Sequence, residues 1–191
     1  MQESRARGSV KGSVVASRIA FVRDERGSAA VERVIGQLAE EHRAVLRGMI
    51  LPFAWYPFEL NEALDLAIAH EFGTGNDIFL RLGARSAEDN LASASQKQYM
   101  RDHNPQALLK NTSAIYGVYY DTGRRDYVKL SETSAVLRTF DSLSFSAADC
   151  LTVVGWYERA LTMCSGKSVR VVETKCRAKG DDICEYECHW D

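Results

Sequence analysis

The first 149 of the 191 residues contain no cysteine, and only three prolines interrupt the whole chain. The absence of an even, dispersed cysteine set argues against a disulfide framework. No apolar run approaches the length needed to span a bilayer. Neither sign of charge dominates: 24 Lys and Arg stand against 26 Asp and Glu, a net charge of −2. That balance gives no electrostatic case for bulk nucleic-acid or membrane-surface binding. The opening Met-Gln-Glu-Ser-Arg-Ala-Arg-Gly lacks the apolar centre of a secretory signal, so a cytoplasmic protein is expected. There is no glycine-rich phosphate loop, no basic recognition helix and no defensible Ser-His-Asp ordering. Nothing argues for an enzyme, and no catalytic residue is nominated.

What is present is ordinary globular composition, 46% hydrophobic, enough for a substantial core. A single domain over 1–191 is expected, with residues 1–9 flexible. Ser13 to Val22 reads as a strand or hairpin arm ending at Asp24-Glu25-Arg26-Gly27. Ser28 can cap a helix carrying Val31, Val34, Ile35 and Leu38. Trp55-Tyr56-Pro57 punctuates the chain before a helix over Phe58 to Phe72. Asn76 can cap the next helix, which carries Ile78, Phe79 and Leu82. Asn104-Pro105 starts another, running to about Tyr116. Asp121 to Asp126 looks like a hairpin connection between Val118-Tyr119-Tyr120 and Tyr127 to Leu130. A strand over Ala135 to Phe140 precedes a helix capped by Ser146 and ended by Gly166. A hairpin of Ser168 to Cys176 and Ile183 to Trp190 closes the chain. Helices first and strands later give an α+β fold, N-terminal helices packed on an antiparallel sheet.

All five cysteines (150, 164, 176, 184 and 188) fall in the last 42 residues. Glu173, Cys176 and Cys184 flank the Gly180-Asp181 turn, and Cys150 lies 23 residues before Glu173 at the expected helix start. Three thiolates and a carboxylate make a tetrahedral set for structural zinc, with no position left for a reactive water. The bland alternative is reduced cysteines packed as small hydrophobes beside a solvated glutamate. A rival set of Cys176, Cys184, Cys188 and His189 is disfavoured, because Cys184 and Cys188 sit roughly 13 Å apart along a strand.

The segment from Val171 to Tyr186 resembles the C-terminal signature of 4-vinyl reductase-type domains. Those domains share a fold with haem nitric-oxide-binding domains and with Golgi transport-particle subunits. In zinc-containing sensors of that type the ligands follow Cys, then Glu-x2-Cys-x7-Cys, a pattern that Cys150, Glu173, Cys176 and Cys184 match. The opening Val-Lys-Gly-Ser and the Trp-Tyr-Pro segment are similar to an uncharacterised myxobacterial paralogous family. The resemblance implies a zinc-bearing helix–hairpin over 146–190 within a small-molecule-binding sensory domain, acting as a homodimer in signalling or regulation. Trp156, Tyr157, Phe140 and Tyr116 are the candidates to line its ligand pocket. A ligand-free interaction module with a protein partner, like the transport-particle subunits, is the second reading. A haem or tetrapyrrole accessory protein is the third: Tyr120-Asp121-Thr122-Gly123-Arg124 is similar to the Tyr-x-Ser-x-Arg motif that holds haem propionates, with His103 upstream. The same residues also make an ordinary turn.

Overall fold

A computed structural model describes residues 7–92, 97–100, 104–164 and 167–191. A short ribbon opens the chain: β1 (Ser9–Lys11) pairs antiparallel with β2 (Trp55–Pro57). Between them lie α1 (Gly12–Arg26), α2 (Ser28–Gly36) and α3 (Glu40–Arg47). After β2 come α4 (Phe58–Phe72), α5 (Asp77–Ala92), α6 (Pro105–Lys110) and α7 (Thr112–Tyr119). The second half alternates β3 (Arg124–Ser131), β4 (Ser134–Phe140), α8 (Ala147–Met163), β5 (Arg170–Lys175) and β6 (Cys184–His189). The four last strands form one antiparallel sheet in the order β3-β4-β6-β5.

The segment expected as a strand over Ser13 to Val22 is α1. Its buried residues Val14, Val15, Arg18, Phe21 and Val22 recur at helical spacing, and helix packing overrides the strand preference of valine. Likewise, Val118 and Tyr119 end α7 instead of forming a hairpin arm. Tyr120 makes only an isolated bridge to Val10. The helix starting at Pro105 breaks at Asn111, whose amide bonds back to the Ala107 carbonyl. Of the nine residues expected to be flexible, 1–6 lie outside the described residues. Arg7 donates to Glu62 and to the Phe145 carbonyl, and Ser9 enters β1. The expected stop at Gly166 also lies outside the described residues.

Two caps act as the sequence suggests. Asn104 Oδ1 accepts from the backbone of Gln106 and Ala107, and Ser146 Oγ accepts from Asp149 N at 3.0 Å. The Ser146 cap fixes where α8 starts, and α8 is the organising element. It is buried along most of its length, packed on α5 on one side and on β5 and β6 on another. No helix among the described residues is long and apolar enough to cross a membrane.

Candidate functional site

Where α1, α5, α7, α8 and β3 converge they line a half-open cavity of about 60 Å³. Val14, Ile115, Val153 and Trp156 give it apolar walls, and Tyr116, Tyr119, Tyr120 and Tyr157 surround these with rings. Three of the four pocket candidates from the sequence, Tyr116, Trp156 and Tyr157, therefore line one space. Phe140 does not: it lies under the exposed Arg124 guanidinium, 4.7 Å from ring centroid to Cζ. Strand alternation explains the separation, because Arg124 and Arg125 point to opposite faces of β3.

The tyrosine hydroxyls are committed to the protein. The Tyr116 hydroxyl shares its one proton between the Thr122 carbonyl at 2.8 Å and Ser142 Oγ at 2.9 Å, Tyr120 donates to Asp149, and Tyr157 pairs with Thr112. Burial raises the Tyr116, Tyr119 and Tyr120 phenols above their usual range, so they stay neutral.

Two arginines reach the same cavity, and the sequence reading had assigned neither a role. Arg18 makes a two-pronged bond to Asp65, at 2.5 and 3.1 Å, and lies 4.0 Å from Asp149. Arg125 is equally buried, yet its Nε bonds only the Thr139 hydroxyl, at 2.8 Å. Their signal was a charge inside an otherwise apolar helical face for Arg18, and the inward parity of β3 for Arg125.

The cysteine cluster lies at the first turn of α8, close in sequence to the cavity residues Thr152 and Val153. Donor atoms of Cys150, Glu173 and Cys176 fall within 4.8 Å of one another, and Cys150 Sγ stands 3.6 Å from Cys184 Sγ. The hairpin turn is held by Cys176 N–H donating to Asp181 Oδ2 at 2.7 Å. Glu173 Oε2 accepts from Lys179 Nζ at 2.6 Å, while its Oε1 is buried with no hydrogen-bond partner among the described residues. The contact between the two sulfurs lowers the Cys184 pKa and raises that of Cys150. Cys164 packs on Met100 instead, Cys188 is buried farther along β6, and His189 is on the surface.

No protein-family profile matches the chain, and no curated protein matches it. Solved structures do. An H-NOX protein from K. algicida with unliganded Fe(II) superposes with a TM-score of 0.73 at 13% identity, covering 95% of this chain and 96% of that one. An H-NOX protein from S. oneidensis in the Fe(II)NO state gives 0.73 at 11% identity, covering 95% and 99%. A third structure, described by haem redox potential and porphyrin distortion, gives 0.69 at 12% identity, covering 94% and 99%. The chain has the H-NOX fold. At this identity the likeness establishes the fold and nothing finer.

The comparisons correct the expected cofactor. The structures that share this fold are described by iron and haem, not zinc, so structural zinc is not supported. Nearness of two thiols and a carboxylate is not by itself an ion site. Here Lys179 already supplies the positive charge beside Glu173. The resemblances to the 4-vinyl reductase type and to the myxobacterial family are not confirmed; the H-NOX fold alone is.

Proposed function

We propose that this chain is a non-catalytic, small-molecule-binding sensory domain. The observation that carries the reading is the half-open cavity walled by rings and branched side chains, with two buried guanidinium groups converging on it. A largely preformed, mostly apolar space with a few placed polar groups is the usual form of a ligand site. One solved structure of the same fold, the H-NOX protein from S. oneidensis, is in an Fe(II)NO ligation state, which supports the same reading. Signalling would follow from linkage: a ligand that prefers one arrangement of α8 against α5 and α7 shifts the population of a partner-binding state. The thiol–carboxylate cluster is read as the clamp between the start of α8 and the closing hairpin. A homodimer belongs to the same reading.

The H-NOX neighbours favour haem over the other cofactors considered, so haem is the second reading. The residues described do not fit it. A space of about 60 Å³ is far below the roughly 300–1,000 Å³ of drug-sized pockets, and a porphyrin is a large macrocycle. Among the described lining residues none is His, Cys or Met, and the neutral tyrosines are poor iron ligands. His103 lies outside the described residues. Arg124, the expected propionate partner, instead faces Asp141 at 2.8 Å on the surface.

Native mass spectrometry of protein purified without denaturation separates the readings. A retained compound of low mass supports the first. A Soret absorbance band after expression with added haem precursor supports the second and displaces the first. Protein that stays empty in both measurements, and in a screen of small aromatic and aliphatic compounds, sinks the sensory reading.

A further inference from the structure

Arg125 is the least satisfied charge in the cavity. Its guanidinium is packed against the rings of Tyr116, Tyr186 and Tyr157, with Cζ 4.8, 5.4 and 5.7 Å from their centroids. The ring contacts are favourable, but they do not use the in-plane N–H donors. Among the described residues no carboxylate lies within ion-pair distance of it. Asp65 is bound by Arg18, and Asp149 is shared between Arg18 and Tyr120. The phenol hydroxyls of Tyr116 and Tyr157 are spent elsewhere, as above. A guanidinium taken out of water without a paired anion carries a heavy desolvation cost, and an arginine fork is shaped for a carboxylate.

We propose that the cavity binds a small organic carboxylate. Its anionic head sits on Arg125, and its short apolar body lies among Val14, Ile115, Val153 and Trp156. The assignment rests on the sensory reading and names its ligand class. The cavity volume limits the body to a few carbons, and Thr139 is a positioning residue that aims the fork through its bond to Nε.

Titration calorimetry on the whole chain tests it, with propionate and butyrate as probes and propionamide and butyramide as neutral partners of matching shape. Each carboxylate should bind at least about tenfold more tightly than its amide, and Arg125→Met should abolish that preference. Thr139→Val should reduce it several-fold while leaving amide binding in place. Amides that equal their acids in the unmodified protein overturn the proposal, even if Arg125→Met fails to fold. So does a preference that survives Arg125→Met, or an absence of binding by all four. Xenon under pressure distinguishes that last failure from failure of the cavity itself. Xenon density between Val153 and Ile115 keeps a ligand space without an anion anchor, whereas none removes the sensory reading as well.

Discussion

Gly83 on α5 and Gly155 on α8 mark a crossing in which each glycine lies against the backbone of the opposite helix. A Cβ on Gly83 would fall 2.0 Å from the Thr152 carbonyl oxygen, and one on Gly155 would fall 2.1 Å from the Leu80 carbonyl oxygen. Both obstacles are main chain, which cannot swing aside as a side-chain tip can. Gly83→Ala or Gly155→Ala should therefore force the helices apart and cost about 3 kcal/mol, the upper range for an overpacked core. Urea unfolding of each variant measures this; an unchanged midpoint would contradict the close crossing.

The Arg18–Asp65 pair is buried on both sides, with Asn61 also donating to Asp65. Burial and the arginine act in opposite directions on this carboxyl, and burial dominates, raising it. Asp65→Ala would leave Arg18 without its main counter-charge. A loss of about 3–5 kcal/mol is expected in equilibrium unfolding. Replacing both partners with apolar residues of similar size should recover much of it.

Asp149 carries a pH signature. Burial, ahead of any charge, raises its pKa from 3.8 to about 6. A folded pKa above the unfolded one means that the folded state holds the proton more tightly. Its contribution to stability is then complete below about pH 3.8 and is lost as pH rises through about 6, a difference of about 3 kcal/mol. Comparing the protein with Asp149→Asn between pH 4 and 7 isolates that term. The gap in stability should change in favour of Asn as pH rises. A gap independent of pH would refute it.

The Cys150 thiol is the largest cause holding Cys184 below the ordinary cysteine value, with burial opposing it. Cys150→Ala removes that contact. The lowest thiolate transition followed by absorbance at 240 nm should then move to higher pH. If it stays in place, the two sulfurs do not communicate.

The second half of the chain was legible because its signals are local. Ser146 capped α8, the Ala135–Phe140 strand was found within one residue, and the last hairpin turned about Gly180. Gly180 has φ of 103°, a conformation in which glycine avoids the clash of a side chain. The first half was harder where packing outvoted local preference. The β-branched start of α1 imitates a strand, and only its contacts with α2, α4 and α5 make the helical period decisive. The site was half visible. Trp156 and Tyr157 could be singled out from one helix, but Arg18 and Arg125 come from elements over a hundred residues apart. Arg125 was masked by its neighbour: in Arg124-Arg125 the sequence offers two equal charges. Only the register of β3 against β4, which sets Arg125 opposite Thr139, decides which one turns inward.

Because α8 bears Trp156 and Tyr157 near its middle and Cys150 in its first turn, it is one continuous rod between the cavity and the terminal ribbon. Rocking that rod by a fraction of a helical turn would displace Cys150 relative to Cys184 without any rearrangement of the intervening chain. Occupancy inside the molecule would thus be readable at its surface as a change in how the β5–β6 ribbon is seated.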